Sequence, residues 1–329
     1  MTPSGSAEVS ASAMSTTAPA LGLLMLYVVS IVVNGLVSTG KGVPLTNKDI
    51  AFTHPTYLSP PPFAFAIWGV IYLLVGAFCI VQALPRVVGL PHLAPLRPYV
   101  ALALACNCGW LFLFGHELFW TSFLVICSYL AALFKIVSLV RLDLVDWDAP
   151  SYAVRLLAHC AFAANASWVT VATLLQLQLN LLDEGYFASA DLSVAMLLVA
   201  VALGVWRAFV AADLPWAAVS AWALYAIRSN QQPGSDWGCL PAICESCKAG
   251  AQRICSNGRA LPLGWAAACA GKLRGAPADR CVLPRSAAVA STCSAGVALV
   301  ALALVAGVVR GLRATRAAKR EGDPGYRHM

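Results

Sequence analysis

Charge is what this chain has least of. Lys, Arg, Asp and Glu make up 11% of its 329 residues, where an ordinary soluble domain carries roughly a quarter. With 60% hydrophobic residues and a mean hydropathy of +0.74, a globule could not hide its apolar surface from water. That excludes a soluble protein and makes lipid the solvent. A glycine-rich phosphate loop, a His-Glu-x-x-His helix and a nucleophile elbow are all missing, so nothing in the sequence points to an enzyme. The run at 214–229 has no lysine for a retinal Schiff base. Residues 1–20 hold Glu8 but no Lys or Arg, a poor fit to a cleaved signal or a transit peptide; they read as a disordered leader before a retained first helix.

What the chain has instead is long apolar runs. Segments of roughly twenty residues, enough to cross a hydrocarbon core, fall near 21–39, 62–84, 97–115, 119–141, 153–179, 190–211, 214–229 and 287–309. The expected fold class is all-α, a polytopic membrane helix bundle of about eight transmembrane helices. With the N-terminus inside, the inner segments hold Arg86, Arg97, Arg141, Arg155, Arg207 and the tail residues Arg310, Arg313, Arg316, Lys319 and Arg320. The outer short loops hold Lys41 and Lys48. This bias places both termini in the cytoplasm and the basic tail, 311–329, against anionic headgroups. The formal charge of +7 does not signal nucleic acid, because no aromatic residue interleaves the basic run at 310–320.

The cysteines form two populations. Cys79, Cys106, Cys108, Cys127, Cys160 and Cys293 lie in apolar runs, where cysteine acts as a small hydrophobe. Cys239, Cys244, Cys247, Cys255, Cys269 and Cys281 crowd into a Gly- and Pro-rich loop, 231–286. A thiolate zinc site on Cys239, Cys244, Cys247 and Cys255 is one reading; disulfides among all of them is the other. The charge bias puts this loop on the outer face, where oxidation favours disulfides.

Polar and aromatic side chains inside the runs fall in register. Asn165, Trp168, Ala172, Gln176 and Asn180 recur at steps of three or four, within an arc of about 120° on a helix. Asn107, Trp110 and Phe114 do the same, as do Phe65, Trp68, Tyr72 and Gly76 behind prolines 60–62. One such stripe is ordinary helix packing; three together suggest a shared aromatic-lined cavity. Trp120, Trp147, Trp206 and Trp216 lie near run ends and read as interfacial. Lys135 reads as snorkelling and His159 as a hydrogen-bonded interior histidine. His116, Glu117, Asp183 and Glu184 gather at the outer ends of two runs as solvated charge or an acidic rim. Asn165-Ala-Ser167 matches a glycosylation acceptor, but inside a run it should go unused. Ala303, Gly307 and Gly311 repeat every fourth residue and suggest a helix–helix contact in a homodimer.

These stripes resemble the TspO/translocator-protein superfamily, and more closely its longer branch, the tryptophan-rich sensory proteins. The resemblance rests on "SPPPFAFAIWGVIY", "CNCGWLFLF", "SWVTVATLLQ" and "WAAVSAWALYAI". It departs at Ala164-Asn165, where Pro-Tyr is usual, and at Gln176, where Asn is usual. It implies a five-helix core over 21–180, additional helices over 181–230, and a last helix at 287–310. It also implies a porphyrin- or sterol-like ligand without any built-in cofactor, held by Trp68, Tyr72, Asn107, Trp110, Trp168 and Ala172; the stripes themselves add Phe65, Asn165 and Gln176 to the candidate lining. The expected partners are the lipid bilayer and a small hydrophobic ligand, and the expected role is receptor or transporter. A transporter of polar solutes, or an assembly protein using the Cys-rich loop, are the alternatives.

Overall fold

The computed structural model describes residues 4–54, 56–140, 151–184, 189–231 and 286–320. Among these there are helices and no strands: α1 Ser4–Ser38, α2 Asn47–Thr53, α3 Ile67–Val81, α4 Arg97–Gly115, α5 Phe119–Val140, α6 Tyr152–Asp183, α7 Ala190–Ala211, α8 Leu214–Asn230 and α9 Ala287–Arg320. The protein is an all-α polytopic helix bundle. Helix α6 is its axis, with residues 161–171 buried without a break. A helix buried all round belongs at the centre of a bundle, and α3, α5, α7 and α8 all pack against it.

Seven helices are long and apolar enough to cross a membrane by length and composition. Helix α8, with 17 residues, lies at the lower limit of about 17 for a span. Both of its ends nevertheless lie beside contacts with the α9 segment. At one end the Ser286 amide donates to Gln231 Oε1 at 3.1 Å. At the other, Arg310 donates to the carbonyls of Phe209 and Val210, both at 2.8 Å, where α7 turns into α8. Helix α8, the seventh apolar run, therefore lies alongside α9 between these two contacts.

Several expectations change. Helix α1 begins at Ser4, inside the stretch read as a disordered leader; its Ala-rich sequence favours helix. Phe65 lies not on a helix but on a 3₁₀ turn, Pro62–Ala66, because prolines lacking a donor can lead a helix but not continue one. Trp216 is not interfacial. It is 1% exposed, packs 5.5 Å from Phe134, and lies against the Arg207 guanidinium at 5.5 Å. Trp206 and Trp120 keep exposed rings, at 50% and 45%. Gly307 is turned into its own chain: a methyl group there would lie 2.5 Å from the Ala208 carbonyl oxygen. Ala303 packs beside it on Ala208 and Ala217, so these two residues of the stripe seal α9 onto α7 and α8, while Gly311 faces open space. The six loop cysteines and Trp147 lie outside the described residues.

The end of the bundle carrying Arg86, Arg97, Arg155, Arg207 and Arg310 also holds His92, in the segment between α3 and α4. Burial, reinforced by the Arg155 charge, lowers its pKa to about 4. The unfolded chain titrates near 6.5, so between these values it binds the proton that the fold refuses. Stability is therefore full above pH 6.5 and falls as pH drops toward 4. In phosphatidylcholine nanodiscs without added phosphate, a thermal scan should show this loss, and His92→Gln should flatten it. A variant as pH-sensitive as the parent would clear His92 of the effect.

Candidate functional site

Helix α3 and the turn before it present Phe65, Trp68 and Tyr72 to α6. Trp168 meets Trp68 edge to face at 6.3 Å and Phe65 at 6.2 Å, and Tyr72 stacks on Trp68 at 5.4 Å. Perpendicular and offset pairs are the arrangements aromatic quadrupoles favour. Trp168 is 4% exposed, whereas Phe65, Trp68 and Tyr72 are half-buried. The cluster thus has one ring fixed in the core and others reachable from its side.

A polar chain runs from this cluster into the bundle. The Tyr72 hydroxyl donates to Asn34 Oδ1, and Asn34 Nδ2 donates to Asn107 Oδ1 and to the Ser30 carbonyl, each at 2.8 Å. Asn107 and Ser30 are both 1% exposed, yet Asn107 Nδ2 and Ser30 Oγ have no hydrogen-bond partner. Unmet donors in an apolar interior cost free energy, roughly 1–3 kcal/mol each, and mark positions where a ligand atom or water gains most. Tyr27 secures the far side, its hydroxyl donating to the Tyr72 carbonyl at 2.8 Å. Its ring fills the space where Gly76 has no side chain.

Other expected site residues go elsewhere. Trp110 donates to Gln176 Oε1 at 2.7 Å, and Gln176 Nε2 reaches Ser122 at 2.5 Å and the Phe119 carbonyl at 3.2 Å. Gln176 lies two turns beyond Trp168, about 12 Å along α6, so this group ties α4, α5 and α6 together away from the ring cluster. Asn165 is paired with Tyr129: Nδ2 donates to the hydroxyl at 2.8 Å, which lies 3.0 Å from Oδ1. Ala172 is half-buried against the core. Asn34, Tyr27 and Tyr129 were not singled out from sequence; Asn34 alone carried a signal, as an amide inside the first apolar run.

The first inter-helix segment closes one end of this region. Leu45 N donates to the Gly115 carbonyl at 3.2 Å, His54 lies 3.8 Å from Asp183, and Trp222 Nε1 donates to the Ala64 carbonyl at 3.1 Å. Asn230 Nδ2 donates to the Ser59 carbonyl at 2.8 Å. At the opposite end His159 is bonded, as expected, to Asp213 at 3.2 Å. Among the described residues no group of His, Cys, Asp and Glu is arranged to hold a metal.

Helices long enough to span a membrane, wrapped around buried tryptophans and amides, define an integral multi-pass membrane protein with an aromatic-lined interior. The family model described as TSPO-like protein matches residues 20–251, and the chain belongs to that family. No curated protein and no solved structure matches it.

Proposed function

We propose that this TspO-like protein is a receptor or transporter, not an enzyme, that takes a small planar hydrophobic ligand of porphyrin or sterol type between α3 and α6. The observation supporting this is the perpendicular Trp68–Trp168 pair, flanked by Phe65 and Tyr72, with the unpartnered Asn107 amide nearby along the Asn34 bridge. Rings supply the stacking face and Asn107 Nδ2 would orient a polar substituent. The same proposal places the chain in the longer tryptophan-rich sensory branch, with both termini cytoplasmic and the Cys-rich loop outside and disulfide-bonded.

Quenching of tryptophan fluorescence by a porphyrin tests this. Trp68→Phe and Trp168→Phe keep most of the packing volume but change the stacking surface. Each should weaken binding by about 0.5–1.5 kcal/mol, roughly two- to twelvefold. Trp206→Phe, exposed to lipid, should leave affinity unchanged, and Trp110→Phe should reduce stability rather than affinity because it strands Gln176. If all four behave alike, the rings serve packing alone.

A further inference from the structure

The cytoplasmic-side end of the bundle holds one buried arginine and two buried donor atoms that meet no anion among the described residues. Arg97 is 7% exposed. Its Nε donates to Gln82 Oε1 at 2.9 Å and its Nη2 to the Val88 carbonyl at 2.8 Å, both neutral. Gln82 in turn is held by the carbonyls of Ala20 and Cys79. Arg155, at the start of α6, donates from Nη1 to the Val140 carbonyl at 2.8 Å, again neutral, while its buried Nε has no partner. His92 Nε2 is likewise buried without a partner. Among the described residues no carboxylate pairs with any of the three.

These groups belong to one place. Arg97 pins the α3–α4 segment, through Val88, against the first turn of α4. Helices α4 and α5 pack side by side, with Lys135 of α5 over the Tyr99 ring of α4 at 5.9 Å, so the start of α4 lies beside the end of α5. Arg155 reaches the last carbonyl of α5. The segment carrying His92 winds directly into α4, with Leu93 N donating to the Leu90 carbonyl at 3.0 Å and Arg97 N to the Leu93 carbonyl at 3.1 Å, so His92 lies at the same end of the bundle as both arginines. The starts of α4 and α6 add their amide ends, which favour negative charge. Buried arginines are normally matched by carboxylate or phosphate, for which the planar guanidinium is shaped.

We propose that His92, Arg97 and Arg155 form a binding site for a phosphate group at the cytoplasmic-side rim. Arg155 Nε and His92 Nε2 donate to its oxygens, and Arg97 supplies charge from behind. The phosphate comes either from an anionic phospholipid of the surrounding leaflet or from a soluble phosphate; the recognising chemistry is the same. This site lies at the opposite end of α3 from the ring cluster, so it stands or falls independently of the ligand reading.

The test uses the full chain in nanodiscs of phosphatidylcholine alone and of phosphatidylcholine with phosphatidylglycerol. Native mass spectrometry should show one phosphatidylglycerol retained preferentially on the parent protein. Arg155→Gln and His92→Gln should each reduce that retention, Arg155→Gln by roughly tenfold or more, as expected for a charged hydrogen bond. Lys41→Gln, exposed at the opposite end of the bundle, should change nothing. In phosphatidylcholine discs, inorganic phosphate should raise the melting temperature of the parent and not of Arg155→Gln if the soluble source can fill the site. Without that rise, retention of phosphatidylglycerol assigns the site to lipid. His92→Gln, at a half-buried position, keeps the test open if Arg155→Gln fails to fold. The proposal is overturned if neither probe distinguishes parent from variants, or if Lys41→Gln loses as much lipid as Arg155→Gln.

Discussion

Asp213→Ala should destabilise the folded protein by roughly 3–5 kcal/mol, the range for removing one partner of a buried ion pair. Asp213 occupies the turn between α7 and α8 with its side chain 0% exposed. Oδ1 accepts from the Trp216 amide at 3.1 Å, capping α8, and faces His159 of α6 at 3.2 Å. Oδ2 accepts from Arg207 Nε at 3.1 Å and from Nη2. One carboxylate therefore joins three helices. Burial pushes its pKa up, but the hydrogen bonds and charges of His159 and Arg207 outweigh burial and hold it below the usual carboxylate range. Loss of the cap alone is worth about 1 kcal/mol. The rest comes from Arg207, left facing Trp216 without a counter-charge; its side chain is 16% exposed, so partial rehydration pulls the cost toward the lower end. Asp213→Asn keeps an acceptor for the α8 amide and should fall between alanine and the parent. Because the folded pKa is depressed, this contribution is complete above the unfolded value near 3.9 and is lost as pH falls through the folded one. It leaves the pH 4–6.5 window to His92. Thermal scans of the variants at neutral pH measure the cost, and an unchanged Asp213→Ala would show that the cluster holds nothing together.

The bundle was legible because lipid imposes a simple rule on sequence: apolar runs of spanning length must be helices. The runs at 97–115 and 190–211 coincide with α4 and α7. Periodicity also indicated which residues share one face of a helix, and Trp68 and Tyr72 of one stripe do lie ring against ring. Periodicity does not say which face meets which neighbour, or at what height. Trp110 shares the style of its stripe with Trp168 but meets Gln176 instead, a displacement that only the stagger of α4 against α6 determines. Trp216 looked interfacial because it lies near a run end, yet Phe134 and Arg207 enclose it. The Asp213 cluster was invisible for the same reason, since His159 is 54 residues away in sequence. Local pattern carries faces and lengths; partners arise from packing between distant helices.

The same limit governs Ala303, Gly307 and Gly311, where an identical spacing fits a homodimer seam or an internal one. The geometry separates them by a paired substitution. Gly307→Ala places a methyl group 2.5 Å from the Ala208 carbonyl oxygen and 2.7 Å from that of Phe209. Both are backbone atoms of α7, which cannot swing aside as a flexible side chain would. Helix α9 must then lift from α7, straining the two bonds from Arg310 to the Phe209 and Val210 carbonyls and loosening Val300 and Ala303 from Ala208 and Ala217. Overpacking of this kind costs about 1–3 kcal/mol, and Gly307→Leu should exceed it. At Gly311 an added methyl group meets nothing within 4 Å, so Gly311→Ala should be neutral or gain up to about 1 kcal/mol from its helix preference. Melting temperatures of the three variants should therefore rank Gly311→Ala at or above the parent, then Gly307→Ala, then Gly307→Leu. Monomer content on gel filtration should stay the same throughout. Equal stability of both alanine variants, together with a loss of dimer in Gly307→Leu alone, would return the stripe to an interface between two copies.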